Sequence, residues 1–392
     1  MSPTQADRDG AERAAPARAE IVVDLAAIRH NVRRLRELTA PDTEMMVVVK
    51  ADGYGHGMLA SAGAARDAGA QWLGVATIDE ALALREAGDQ GRILCWLGIP
   101  GEEYADAISA DVDVTAYSLD ELAEIVDAAG DIDATARVQL KVDTGLSRGG
   151  ASEQDWPALV RAARAAEQDG DIVVTGVWSH FACSDEPDHP SNDAQEKVFL
   201  WALDEAADAG LRPEVRHLAN SAAALLRPSS WFDLVRCGIA SYGLDPAPGH
   251  TADLGLVPAM TARARLAMVK RVPAGAGVSY GHTWVAESPT TVGLVPAGYG
   301  EGVPRHASNT AEVWTAGARR PVRGRICMDQ FVVDLGDDEA VAGDPVVLFG
   351  PGTNGEPTAQ DWAEACGTIN YEIVTRIGGR FARVIVDSEA TG

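Results

Sequence analysis

Short apolar runs rich in β-forming residues recur near positions 45–49, 72–76, 93–97, 112–116, 136–142, 174–180, 214–218 and 234–237. Between them lie Ala/Leu/Glu-rich stretches with helical periodicity, such as Ile78–Ala87, Leu119–Ala129, Trp156–Gln168 and Asp193–Ala209. Ahead of the first run, Ala19–Asp24 reads as a short strand and Leu25–Leu38 as an amphipathic helix. Eight strands alternating with helices over roughly two hundred residues predict an α/β fold, an eight-stranded TIM (β/α)8 barrel. A doubly wound open sheet is the alternative, but the sequence carries no dinucleotide-binding fingerprint.

Beyond about Leu256 the pattern changes. Helix-like stretches become rare, and β-rich runs punctuated by Gly and Pro take over: Ala262–Val269, Thr291–Pro296, Ala311–Trp314, Gly324–Ile326, Phe331–Asp334 and Pro345–Leu348. Asp361–Cys366 and Ile369–Arg376 would add short helices. The expected organisation is a disordered N-terminal tail at 1–18, a barrel domain at 19–252 and a mainly β C-terminal domain at 253–388. The first short strand is free to join the C-terminal domain.

Charge narrows the function classes. The 392-residue chain has 58 acidic and 33 basic side chains, a formal net charge of −25, which excludes nucleic acid and anionic membrane surfaces as partners. The N-terminal tail has no apolar core like that of a signal peptide, and no run approaches the roughly 20 apolar residues of a membrane span. Cys95, Cys183, Cys237, Cys327 and Cys366 are scattered without CxxC spacing, so reduced thiols in the cytoplasm are expected and no metal site is.

Catalytic residues of a barrel sit at the C-terminal ends of its strands. The first run ends in Lys50, followed by Ala51-Asp52-Gly53-Tyr54-Gly55-His56-Gly57. A lysine leaving a dry strand is desolvated, which lowers its pKa and prepares it for Schiff-base formation. A lysine snorkelling at a strand end is the plainer reading. Other strand ends deliver Lys141 with Asp143 and Arg148, then Ser179-His180, Asn220-Ser221, and Arg236 with Gly238-Ile239. Ser221 opens a helix-like stretch, whose N-terminus attracts anions, and Gly238 lets the backbone approach closely. Ser221 also fits a plain helix N-cap. A reactive lysine facing a phosphate site points to pyridoxal 5'-phosphate. Arg236 would then face the pyridine nitrogen and, being always protonated, leave that nitrogen unprotonated. A structural ion pair would equally account for Arg236, and a Lys–Asp pair for Lys141.

With these motifs in view, the chain resembles the alanine racemases, barrel-type pyridoxal-phosphate enzymes. The resemblance runs from about Ala19 to near Val384. It rests on Val48–Gly57, Lys141–Gly145, His217–Ser221, Arg236–Gly243, Gly277–Gly281, Gly324–Gln330 and Thr368–Glu372 together. It implies that Lys50 is the Schiff-base lysine and the base on one substrate face. Tyr280 would be the opposite base, reaching the site from the partner subunit of a homodimer. Tyr54, Ser221, Gly238, Ile239 and Tyr371 would hold the phosphate, with Asn220 beside them. Arg236 would meet the ring nitrogen, and His180 would link that arginine to the tyrosine base. Arg148 and the Met328 backbone N–H would bind the substrate carboxylate. Asp185, Tyr299, Arg305 and Asp329 would line the substrate corridor. Lys141 resembles a lysine often carbamylated, whose added charge steadies the substrate-binding arginine. The implied reaction interconverts L- and D-alanine for peptidoglycan. A broader serine or lysine racemase and a non-catalytic pyridoxal-phosphate carrier are the rival readings.

Two roles have an independent physical basis. Racemisation needs a donor on one face and an acceptor on the other, because a single base tends to return the proton it took. A tyrosine hydroxyl needs a positive neighbourhood to act as a base near neutral pH. Taken alone, Tyr280 also fits a strand aromatic packing on a core. The sequence departs from the family pattern at Ser147, where Gly or Asn is usual before the arginine, and at Glu301, where Asp is commoner. Cys183–Glu186 prolongs the sixth run. None of these departures falls on a residue with an implied catalytic role.

Overall fold

In the computed structural model, which describes residues 17–388, the apolar runs become strands. β1 (Ala19–Asp24) alternates buried and half-buried positions. The next eight are β2 (Glu44–Val48), β3 (Trp72–Val75), β4 (Arg92–Cys95), β5 (Asp113–Ala116), β6 (Ala136–Lys141), β7 (Ile172–Trp178), β8 (Val215–His217) and β9 (Leu234–Cys237). Nearly every position in them is buried, because a parallel sheet is covered on both faces; this is why they read as unbroken apolar runs. They pair in parallel in the order β8-β7-β6-β5-β4-β3-β2-β9. The two end strands meet: Asp233 N–H donates to Arg216 C=O (3.1 Å) and Arg236 N–H to Ala219 C=O (3.0 Å). The result is a nearly closed eight-stranded barrel with helices between the strands, the expected (β/α)8 class.

The helices start where capping chemistry allows. Thr77 and Glu80 form a reciprocal capping box at Ile78–Glu86, and Ser118 accepts the Glu121 N–H at the start of Leu119–Asp131. At the strand starts, Asp113 is fully buried. It receives both Arg92 (2.7 and 3.1 Å) and Arg137 (3.0 Å) as well as the Thr175 hydroxyl (2.6 Å). Arg92 stacks on Trp72 at 4.2 Å. This satisfied ionic knot closes the end of the barrel opposite the one where barrel enzymes place their chemistry.

The chain forms two compact units. The barrel unit takes Val23–Met260, Thr358–Arg376 and the described residues from Ile385 onward. Its two added helices are Ala359–Cys366 and Asn370–Arg376. The other unit takes the described residues through Val22, Thr261–Pro357 and Ile377–Val384, and it is mainly β. Its strands are β10 (Met260–Arg265), β11 (Met268–Val272), β12 (Gly277–Val278), β13 (Trp284–Val285), β14 (Thr290–Val295), β15 (Glu312–Thr315), β16 (Ala318–Arg323), β17 (Phe331–Gly336), β18 (Pro345–Phe349) and β19 (Ala382–Val386). They form a nine-stranded sheet, β11-β14-β17-β16-β15-β18-β10-β1-β19, and the hairpin β12-β13. β1 thus hydrogen-bonds into this sheet. The tail read over 1–18 lies outside the described residues except for its last two positions.

Two β-rich expectations need correction. Ala262–Val269 is not one strand. At Leu266 the chain leaves one neighbour for another, with Leu266 N–H donating to Asp344 C=O (2.9 Å) and Ala267 N–H to Leu294 C=O (2.8 Å). Gly324–Ile326 is a loop. Gly324 has φ 73°, and the N–H groups of Gly324 and Ile326 donate to the Asn309 and Ser308 side chains instead of a strand. Among the described residues, no helix is long and apolar enough to cross a membrane.

Candidate active site

Lys50 leaves β2 through a strained backbone feature. Lys50–Tyr54 is a left-handed turn: Ala51, Asp52, Gly53 and Tyr54 have φ of 53°, 53°, 62° and 52°. Only the glycine adopts this freely, and each of the other three costs roughly 1–2 kcal/mol. Hydrogen bonds offset the strain. Glu80, already part of the capping box, accepts the Ala51 N–H (2.7 Å), and Asp52 accepts the Met58 N–H (2.9 Å) through its side chain. Gly55 has φ 81°, and a Cβ there would sit 2.3 Å from the Val374 carbonyl oxygen. Glycine therefore lets the Asn370–Arg376 helix approach, bringing the Tyr371 ring to 6.3 Å from Tyr54.

Tyr54 and Tyr371 face the ends of β8 and β9. The N-cap of Ser221–Leu226 is Asn220, not Ser221: Asn220 Oδ1 accepts the Ala223 N–H (3.1 Å) and the Ser184 hydroxyl (2.9 Å). The N-cap reading of Ser221 is therefore corrected. Its Oγ instead accepts the Gly238 N–H at 2.9 Å. A Cβ at Gly238 would meet the Tyr54 hydroxyl at 2.3 Å, so only glycine leaves this cradle open. Burial raises the pKa of both Tyr54 and Tyr371, which stay neutral donors. Two neutral hydroxyls, a serine and backbone at Gly238-Ile239 suit a phosphate group.

Arg236 is fully buried and engaged without a carboxylate. Its guanidinium donates to the Ser179 and Leu218 carbonyls (2.8 and 2.9 Å), to His217 Nδ1 (2.9 Å) and to His180 Nδ1 (3.1 Å). No carboxylate lies within ion-pair distance of it among the described residues, which removes the ion-pair reading. Arginine only donates, so both imidazoles accept on Nδ1 and carry their proton on Nε2. The His217 Nε2–H donates to Gln139 Oε1 (2.7 Å). Burial first and Arg236 second lower both histidine pKa values well below the usual range, consistent with neutral rings. Burial pulls the Arg236 guanidinium down to about 9, still cationic at neutral pH.

These groups line one cavity of about 670 Å3, which brings together Lys50, Tyr54, Lys141, Arg148, His180, Asn220, Ser221, Arg236, Gly238, Ile239 and Tyr371. Four cations line it and no carboxylate does, in a chain of net charge −25. Burial, then Arg148, lowers the Lys50 pKa; Glu80 opposes them, and Arg236 adds a smaller lowering effect. Burial, then Arg236 and Arg148, lowers that of Lys141 to about 7. The Asp143 carboxylate does not pair with Lys141. It accepts the Gly145 and Ser147 N–H groups (2.9 and 3.1 Å) and so shapes the loop bearing Arg148.

The sequence reading passes over three aromatic residues here. Lys141 Nζ lies 4.3 Å from the Trp178 ring centroid and 5.1 Å from that of Tyr117, and Lys50 Nζ lies 5.5 Å from that of Trp96. Trp178 also carries Arg236 at 5.0 Å and stacks on His217. Cation–π contact gives these amines partial compensation where no anion is present. Asp185 is exposed in the loop after β7 and lies outside the cavity lining, though it helps to raise the Tyr371 pKa.

The five remaining candidates belong to the β unit. Tyr280 follows β12 and is 72% exposed; the preceding Ser279 has φ 60° and donates to the Arg325 carbonyl (2.6 Å). Packing on a core therefore does not account for Tyr280. Tyr299, Arg305, Met328 and Asp329 are exposed as well.

The comparisons with known proteins agree with one another. Residues 23–246 match the family model described as alanine racemase, N-terminal domain, and 259–385 match alanine racemase, C-terminal domain. A protein of Salinispora arenicola named alanine racemase is 57% identical over 360 residues, covering 92% of this chain and 96% of its own. One of Streptomyces coelicolor with the same name is 56% identical over 394 residues, covering 99% of this chain and 100% of its own. The crystal structure of alanine racemase from D-cycloserine-producing Streptomyces lavendulae superimposes with a TM-score of 0.94 at 55% identity, covering 96% of this chain and 99% of that one.

Proposed function

The chain belongs to the alanine racemase family, and we propose that it interconverts L- and D-alanine with pyridoxal 5'-phosphate. The observation that carries this reading is the cation-lined cavity. A desolvated amine, a neutral hydroxyl-and-backbone cradle and a carboxylate-free arginine all open onto it. The residues present fit the cofactor. Lys50 would anchor it, Tyr54, Ser221, Gly238, Ile239 and Tyr371 would hold its phosphate, and Arg236 would meet its ring nitrogen. When bound, pyridoxal phosphate supplies an electron sink that acidifies the α-hydrogen of an attached amino acid.

The chain's own residues then divide the work. Arg148 and the Met328 backbone N–H hold the substrate carboxylate. Tyr280 of the partner subunit takes the α-proton of L-alanine, and Lys50 delivers one to the opposite face; from D-alanine the roles exchange. Burial and the neighbouring Arg148 lower the Lys50 pKa, which favours the neutral, proton-accepting amine more than in an ordinary lysine. Arg236 donates hydrogen bonds without giving up a proton, so it would leave the ring nitrogen unprotonated and favour brief proton removal. His180, kept neutral by burial and then by Arg236, would relay that positive field toward the tyrosine. Asp185, Tyr299, Arg305 and Asp329 would shape the substrate corridor. The reading includes a cytoplasmic homodimer supplying D-alanine for peptidoglycan.

The test is the purified protein with L-alanine in heavy water. It should exchange the α-hydrogen and yield both enantiomers. Faster turnover of serine or lysine than of alanine would assign a broader racemase, and absence of exchange would sink the racemase reading.

Lys141 adds a pH-dependent element. With a pKa near 7 its amine is increasingly neutral above that pH. A neutral amine attacks carbon dioxide, forming an N–C bond and releasing a proton, and the resulting carbamate would place an anion among Arg148, Arg236 and Lys50. Labelled bicarbonate at pH 8 should give a carbamate carbonyl signal by NMR. The signal should fade as the pH falls below 7 and be absent in Lys141→Ala. Its absence at pH 8 in the wild type would refute carbamylation.

A further inference from the structure

The loop Gly324–Gln330 carries Met328 and Asp329 and is gripped on two sides by its own unit. On one side Ser279 Oγ donates to the Arg325 carbonyl (2.6 Å), Gly324 N–H to Asn309 Oδ1 (2.6 Å) and Ile326 N–H to Ser308 Oγ (3.0 Å). On the other side the turn Gly298–Gly302 clamps the backbone: Tyr299 N–H donates to Cys327 C=O (3.0 Å) and Gly300 N–H to Met328 C=O (2.8 Å). A Cβ at residue 298 would lie 2.2 Å from the Cys327 carbonyl oxygen and 2.5 Å from that of Met328, so only glycine permits this approach.

The turn depends on Glu301, the position where the family more often has Asp. Its carboxylate is buried and accepts the Gly298 N–H at 2.8 Å. Arg380 forms ion pairs with Glu301 and, at 2.5 Å, with Asp329. Arg18 lies farther off, at 3.8 Å from the Glu301 carboxylate. Gly378 N–H donates to the Glu301 carbonyl (3.0 Å), so the segment bearing Arg380 is itself tied to the turn. An isolated surface Arg–Asp pair contributes little. Here one carboxylate is dry, and a buried charge stripped of its partner is costly. Arg380 therefore bridges a buried anchor to the exposed tip of the loop.

We propose that Arg380 is a positioning residue: by joining Glu301 to Asp329 it fixes the loop that presents the Met328 N–H to the substrate carboxylate, and so sets affinity for the amino acid. The role of Met328 rests on the racemase reading, whereas the locking of the loop does not. Arg380 sits at the unit's surface with its side chain half exposed, so its replacement leaves the core intact.

The test uses the holoenzyme carrying Arg380→Met, Arg380→Lys or Glu301→Gln. In Arg380→Met, KM for both alanine enantiomers should rise about tenfold while kcat stays within about twofold. Amide hydrogen exchange in the 326–330 loop should quicken by about tenfold or more. Arg380→Lys should recover part of both effects, and Glu301→Gln, which keeps an acceptor for the Gly298 N–H but loses the charge, should resemble Arg380→Met. Unchanged exchange in both Arg380→Met and Glu301→Gln would overturn the locking. Faster exchange with an unchanged KM would overturn the link to affinity. A wild type that racemises nothing would sink the racemase reading instead, while the exchange measurement still decides the locking.

Discussion

Replacing Lys50 with alanine is expected to abolish racemisation, by at least about 10⁴-fold, because in the proposed mechanism this one side chain would be both covalent anchor and proton carrier. The absorbance expected of a lysine-bound cofactor should vanish with it, while the proposed cradle of Tyr54, Ser221, Gly238 and Tyr371 should still allow reversible binding of pyridoxal phosphate. The fold should survive. Lys50 has no carboxylate within ion-pair distance among the described residues, and the cations Arg148 and Arg236 already disfavour its charge. Deleting a buried amine that like charges oppose relieves repulsion, so the melting temperature should hold or rise. The left-handed turn that aims the side chain is fixed by Glu80 and Asp52 rather than by Lys50 itself. Lys50→Arg should be equally inactive, since a guanidinium keeps the charge but is no nucleophile. A persisting cofactor band in Lys50→Ala would remove Lys50 from the chemistry.

The barrel was legible because parallel strands buried on both faces leave unbroken apolar runs, and each strand end then marks where polar groups converge. Lys50, Lys141, His180 and Arg236 were readable as polar residues in or at the ends of those runs, with Arg148 in the loop beyond one, and the cavity gathers them. Trp96, Tyr117 and Trp178 were not, because an aromatic residue in an apolar run looks the same whether it fills a core or shields an amine. Asn220 and Ser221 are both good caps, and only the hydrogen bonds decide between them. The turn after Lys50 was illegible for a different reason. Ala51 has no local preference for positive φ, and part of what holds the conformation is Glu80, which lies in the next βα unit. Arg380 gave no signal at all: an exposed arginine far along the chain acquires a role only through the buried partner it meets.

Tyr280→Phe should cut racemisation by about 10²- to 10⁴-fold, the usual contribution of a positioned acid–base group, while leaving one half of the reaction running. If Lys50 serves the face of D-alanine, the variant should still exchange the α-hydrogen of D-alanine into heavy water and lose exchange from L-alanine. Equal loss from both enantiomers would mean that Tyr280 positions rather than transfers. Its 72% exposure within the chain is what a residue completing a neighbouring copy's site would have. That placement predicts complementation. In a mixture of Lys50→Ala and Tyr280→Phe subunits, a hybrid dimer that pairs each lysine with the other subunit's tyrosine has one doubly defective site and one intact site. Random reassortment makes about half of the dimers hybrid, each with one working site of two, so roughly a quarter of wild-type activity should return. Were both bases drawn from the same subunit, every site would lack one of them and the mixture would stay inactive at any ratio.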